Sequence, residues 1–453
     1  MSPLVHLALI GWLPVVFLMF SLLRPRVAVA ASFAAGWCFL PVAGYSFPGL
    51  PDYNKQTATT FAVLLATAVF HSRLLARFQP RWIDLPMAVW CAAPMMSSLR
   101  NGLGAYDGAS AVLGTVAMWG APYFLGRVYF TRLGHLKDLA FPIIAFALIY
   151  VPLCLYEVRM SPQLHTQVYG FHQHVFAQTK RFGGWRPTVF MNHGLQVALW
   201  MMSGLVLAWS TGIIGRVRRM PLFGTKVPHI AVIASLLVTL MLAKSVGAWF
   251  LAAGGIAAMH ASRIMRSSLP VACITCACVA YMVTRGTGIW SGENLIDLMR
   301  TLVNDVKAGS LRYRFDNENI LVDKALQRPL FGWGGWGRSR VYDDAGNDIS
   351  VTDGLWVIAI GQRGLLGLTS LYTAMLLGPT MLVWRCSPKL WSRFPSTAVG
   401  AGLAVAALLS VADSLLNAMM VPVMTLAIGA MSGVAVGAHD FPTRRPGRAL
   451  VWR

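Results

Sequence analysis

The sequence predicts an all-α, polytopic integral membrane protein with about 12–14 transmembrane helices and one large helical loop on the extracytoplasmic side of a bacterial-type inner membrane. Three observations carry this. Of 453 residues, 56% are hydrophobic and 12% charged, too little polar surface to coat a soluble globule of that size. Apolar runs of about twenty residues, enough to cross about 30 Å of hydrocarbon, recur from Leu4 almost to Ala438. The basic residues gather in short connections between those runs, with few acids beside them.

The seven basic clusters are Arg24 and Arg26; Arg73, Arg77 and Arg81; Arg127, Arg132 and Lys137; Arg216, Arg218, Arg219 and Lys226; Arg263 and Arg266; Arg385, Lys389 and Arg393; and Arg444, Arg445, Arg448 and Arg453. This is the positive-inside pattern. It accounts for a net charge of +21 without nucleic acid, which would need a basic, aromatic-bearing face on a soluble module.

Thirteen spans are predicted near 4–23, 28–46, 57–74, 83–98, 107–126, 138–157, 188–212, 229–243, 246–264, 270–284, 364–384, 396–412 and 416–437. With every basic cluster cytoplasmic, the N-terminus lies outside and the C-terminus inside. The chain then divides into N-terminal membrane helices (1–157), a periplasmic loop (158–187), central helices (188–284), a large periplasmic loop (285–352), C-terminal helices (353–438) and a basic cytoplasmic tail (439–453). The first span lacks a basic leader and a small-residue cleavage site, so it reads as a retained helix. The cysteines fall in or beside apolar spans, which argues against a disulfide framework, and Cys273 and Cys276 read as small packing residues.

The large loop holds nine acidic and nine basic residues, the composition of a folded, water-facing cap. Within it, Leu311 to Gln327 reads as a helix ended by Pro329, and Phe331 to Gly337 as a glycine-rich turn. Gly361, Arg363, Gly364 and Gly367 suggest a short re-entrant piece before a crossing helix.

Several residues could carry chemistry. Arg186, where the first loop enters a span, suits a phosphate-bearing lipid because its planar fork meets phosphate oxygens bidentately; membrane anchoring is the alternative. Arg314 opens a helix followed by Pro329-Leu330-Phe331-Gly332-Trp333-Gly334, where Trp333 and Trp336 could stack on a sugar. Asp353, at the membrane re-entry, reads either as a proton acceptor or as an arginine partner or helix cap. Lys244 is a further cation for phosphate, and His193 reads as an interfacial histidine or an alternative base. His172 and His174 lack companion ligands, so no metal and no cofactor is expected.

Together these segments resemble the O-antigen ligase and O-antigen polymerase superfamily, most strongly over residues 310–371. In that family an arginine precedes a "PL-x-G-x-G" turn by about four helical turns, matching Arg314 and Pro329. A second family arginine resembles Arg186, with Phe190, Asn192 and Leu195 following, and Lys244-Ser245-Val246-Gly247 looks like a variant of a basic-Ser motif. The family's histidine, eleven residues before "G-L-x-G", is here Asp353, ahead of Gly364-Leu365-Leu366-Gly367.

The resemblance implies a metal-independent inverting glycosyltransferase of surface or exopolysaccharide assembly. A polyprenyl (undecaprenyl) pyrophosphate would donate its glycan to a glycan or glycolipid hydroxyl on the periplasmic side. Arg186, Arg314 and Lys244 would hold the pyrophosphate, Asp353 would act as base, and polysaccharide assembly proteins would be partners, with membrane lipid but no nucleic acid. A transporter or flippase of a lipid-linked glycan, or a catalytically silent assembly subunit, are the alternatives. The topology makes a direct prediction: alkaline phosphatase fused near Asn347 is active, and one fused near Arg448 is inactive. The reverse pattern overturns it.

Overall fold

Proline fixes where many of the helices begin: Pro3, Pro25, Pro86, Pro122, Pro270, Pro395 and Pro422 each occupy one of the first two helical positions, where the missing N–H costs nothing. The computed structural model describes residues 2–222, 224–437 and 441, so the predicted basic tail lies outside the described residues except for Phe441. In chain order the helices are α1 (Pro3–Leu22), α2 (Pro25–Phe39), α3 (Lys55–Ala76), α4 (Leu85–Arg100), α5 (Ala105–Thr115), α6 (Ala121–Tyr129), α7 (Lys137–Met160), α8 (Leu164–Tyr169) and α9 (Gly194–Trp209). They continue with α10 (His229–Leu242), α11 (Val246–Met265), α12 (Leu269–Gly286), α13 (Glu293–Leu302), α14 (Asp305–Leu326), α15 (Leu355–Arg385), α16 (Pro395–Ser414) and α17 (Pro422–Val436).

The chain is 72% helical, and the only sheets among the described residues are three two-stranded hairpins. Each of the thirteen predicted spans falls on a helix; α5 and α6 run on through a π turn at Val116–Gly120. Among the described residues, seven helical stretches are long and apolar enough to cross a membrane: Pro3–Leu22, Lys55–Ala76, Leu133–Met160, Gly194–Ile214, Leu269–Gly286, Leu355–Arg385 and Pro395–Ser414. Helices α2, α9, α16 and α17 are buried on nearly all sides, whereas α1, α10 and α12 expose Leu7, Ile10, Ile230, Val238 and Val283. An apolar rim around an apolar core suits a lipid surround.

The structure differs from expectation at residues 188–193, which form a non-helical turn before α9. Glu157, fully buried at the end of α7, accepts the Thr188 and Val189 N–H groups at 2.8 Å each, as well as that of Leu164 at 3.0 Å. These bonds hold Val189 at φ +50°, a strained value for a β-branched residue. The chain therefore enters its helix six residues later than periodicity suggests.

Helix α14 begins earlier than predicted because Asn304 caps it, its side chain accepting the Lys307 N–H at 2.9 Å. One buried cluster anchors this helix to the membrane helices. The Arg285 Nε meets a Glu318 oxygen at 3.1 Å, and both residues are 4% exposed. The remaining Arg285 donors reach the Trp290, Ser291 and Phe315 carbonyls and Asn319 Oδ1, while Tyr281 and Trp356 donate to Glu318.

The expected break in the next helix falls at Gly364 of α15, at φ +63° and ψ −163°. The glycine-rich turn after α14 docks on it. Trp333 and Gly334 donate to the Gly361 and Gln362 carbonyls (2.9 and 3.0 Å), and Leu365 and Leu366 donate to those of Pro329 and Leu330 (2.7 and 3.2 Å). A Cβ on Gly364 would lie 2.4 Å from the Leu330 carbonyl oxygen, and one on Gly332 would lie 2.5 Å from the Arg363 nitrogen. The two glycine motifs thus form a seam that supplies the hydrogen bonds the broken helix loses.

Breaking the buried pair tests its role in holding the cap. Arg285→Ala leaves a buried carboxylate and should cost about 3–5 kcal/mol, read as a lower Tm of the solubilised protein and faster protease cutting within 285–352. The double change Arg285→Met with Glu318→Leu should restore part of that stability.

Candidate functional site

Arg186 and Arg314 lie within reach of one another's charge although they come from distant segments, and Lys244 joins them only through its backbone. Arg186 is 4% exposed, with its aliphatic stem packed against Gly194. One terminal nitrogen donates to the Lys244 carbonyl at 2.9 Å, while Nε has no partner. Lys244 sits between α10 and α11 at φ +52°, and its ammonium lies against Gly184, where a Cβ would come within 2.2 Å of Nζ. The Lys244 backbone oxygen, rather than its charge, is what touches Arg186.

Arg314 leans from α14 onto the C-terminal end of α16. Its Nε lies 3.4 Å from an Asp353 oxygen, and another nitrogen donates to the Leu416 carbonyl at 3.2 Å. Helix C-termini favour a cation, which holds the guanidinium in place. Asp353 itself is 39% exposed at the side chain, so the pair opens to solvent.

The charges of Arg181, Arg186, Lys307 and Arg314 act on one another. Burial, then the Arg181 and Arg314 charges, bring Arg186 down to about 10; burial, then Arg181, Arg186 and Arg314, bring Lys307 down to about 8. His193, the N-cap of α9, falls to about 3 because it is buried and faces Arg186, then His174, Arg181 and Arg314. It is neutral at pH 7. Its Nδ1 accepts the Leu195 N–H at 3.1 Å, so Nε2 carries the proton and the ring offers a donor. The His174 ring lies 4.9 Å away, centre to centre.

Four participants, Arg181, Phe182, Lys307 and Asp413, were not read from the sequence. Arg181 and Phe182 form a hairpin tip in which Phe182, at φ +47°, stacks on Trp249 at 6.3 Å and lies under Lys307 at 5.1 Å. Their signal was membership of an outward-facing loop. Asp413, 8% exposed near the end of α16, lies within reach of the Arg314 charge; Asn417 donates to one of its oxygens and the other has no partner. A carboxylate beside an apolar run is itself a functional signal.

Trp333 and Trp336 lie elsewhere. Trp333 donates to the Lys324 carbonyl at 2.7 Å and is covered by Lys324 and Arg328 at 4.0 and 4.4 Å. It anchors the glycine turn. Trp336 lines a separate cleft against α4 and α5. Among the described residues, no group of three or more His, Cys, Asp or Glu side chains is placed to hold a metal. No protein-family model matches the chain, and no curated protein matches it in sequence.

An excess of cations with an unpaired buried guanidinium is equipped to bind a multiply charged oxyanion. Lys307 makes the binding pH-dependent. Its pKa is low in the empty site and rises when an anion binds, so binding takes up a proton above pH 8 and weakens as pH rises further. Affinity for inorganic pyrophosphate should fall roughly three- to fivefold as pH rises through that range, the scale of one partly exposed ion pair, and Lys307→Met should remove the step. A pH-independent affinity in the wild type overturns the assignment.

Proposed function

We propose that the protein transfers a glycan from a polyprenyl pyrophosphate to a hydroxyl of another glycan or glycolipid, at the periplasmic face of a bacterial inner membrane. The observation that supports this reading most is Arg186. It is buried, its Nε is unpartnered, and it shares a field with Arg314 and Lys307 while no carboxylate among the described residues pairs with it. Such a guanidinium is costly unless an anion completes it.

The chemistry follows from the Arg314–Asp353 contact. The acceptor oxygen attacks the anomeric carbon from the face opposite the pyrophosphate, and the carbon–oxygen bond to phosphate breaks with inversion. The departing electron pair settles on phosphate oxygens held by Arg186 and Arg314. The hydroxyl proton passes to Asp353. Arg314 touches both the leaving group and the base, so the donor and Asp353 share one guanidinium.

Substitution separates chemistry from binding. Arg186→Ala or Arg314→Ala should abolish transfer with the protein still in the membrane, and Lys should rescue only in part because it lacks the fork. Asp353→Asn should lower turnover with a lipid-linked glycan by roughly 10² to 10⁴-fold and leave donor affinity intact. Near-normal turnover in that variant overturns the base assignment. Asp413→Asn would then be the variant to lose turnover.

A further inference from the structure

The second inference concerns the cleft of about 370 Å³ that Trp336 lines. It lies where four segments meet: the end of α4, the start of α5, the turn after α14 and the residues of α15 just before its break. Its walls are tied together by hydrogen bonds. Ser97 Oγ donates to the Gln362 carbonyl at 2.8 Å, and Asn101 Nδ2 donates to the Gly332 carbonyl at 2.9 Å. At its base Arg363 is fixed, its guanidinium 3.7 Å from the Trp90 ring centre and donating to Thr115 at 2.8 Å.

Among the described residues the side chains of Asp107, Ser110, Arg338 and Gln362 make no hydrogen bond or ion pair, and Trp336 is 71% exposed with only Arg340 over its ring, at 5.1 Å. Arg340 covers one face of this exposed indole and leaves the rest of the ring surface open to a partner. The set combines a flat aromatic platform with a carboxylate, an amide, a hydroxyl and guanidinium groups around its edge. A sugar ring has the matching surface: a C–H face for the indole and edge hydroxyls that both donate and accept. A polyphosphate does not fit, because Asp107 faces the same space.

We infer that this cleft is a saccharide-binding site, separate from the arginine cluster. Resting on the transfer reading above, its occupant is the acceptor glycan. At about 1.5 Å per residue Arg314 lies about 18 Å from the end of α14 at Leu326, where the turn that leads on to Trp336 begins, so an acceptor that reaches from the indole to the arginines is an extended glycan rather than a single sugar.

The test uses the full chain in nanodiscs and saturation-transfer NMR, with maltotriose, cellotriose, chitotriose and trigalacturonate as probes. At least one should bind saturably. Trp336→Ala and Asp107→Asn should each weaken that binding by about tenfold, Trp336→Tyr should retain most of it, and Arg314→Ala should leave it unchanged, with Tm confirming that each variant is folded. No saturable binding by any probe, binding indifferent to Trp336 and Asp107, or binding lost in Arg314→Ala would overturn the site. Saccharide binding without glycan transfer would end the transfer reading and keep the cleft. Transfer with an unchanged acceptor KM in Trp336→Ala would do the opposite.

Discussion

The buried pair of Arg285 and Glu318 decides where α14 and the residues it carries can sit. It joins α12, α14 and α15 at the depth where the chain leaves its apolar helices, and the whole of the Arg285 guanidinium is satisfied there: one bond to carboxylate, three to carbonyls and one to Asn319. Glu318 lies one helical turn from Arg314, on the same face of α14. Fixing the first therefore aims the second at α16 and Asp353. The buried Phe315, Leu321, Val322 and Ala325 on that helix reinforce the same rotation.

Arg186 is the contrasting case. Two arginines are equally buried, yet one has every donor matched and the other leaves Nε empty in a field of like charges. Burial alone does not separate a structural cation from one kept for a ligand; the census of its donors does. The local backbone carries strain for the same purpose. Val189 and Phe182 both sit at positive φ beside Arg186, held by Glu157 on one side and by Trp249 and Lys307 on the other.

Much of the helical framework was legible, because a chain that meets lipid must write its helices as long apolar runs. The sites of breakage were partly legible: Pro329 and the glycines at 332 and 334 marked a turn, and of the glycines at 361, 364 and 367 only Gly364 breaks α15, the other two staying helical. What could not be read was that the two glycine groups answer each other, since local pattern reveals that backbone must bend but not what it bends against. The glycine turn, whose tryptophans were expected to stack on a sugar, docks its backbone on α15. Arg186 and Arg314 were singled out by their place at loop–helix junctions and by resemblance. Lys307 and Arg181 were hidden among ordinary loop charges. Asp413 was missed because it fell between two predicted spans, where the structure instead continues α16 to Ser414.

The seam at Gly364 has a mechanical meaning. Residues 355–363 belong by sequence to the same helix as 365–385, but they are bonded across the break to the turn that ends α14. The first part of α15 is thus a foot of the cap. Swinging it about that glycine would break both the Arg285–Glu318 pair and the Arg314 bond to the Leu416 carbonyl, so seam and clamp act as two hinge pins set at different points and hold the guanidinium at 314 and the carboxylate at 353 at one spacing.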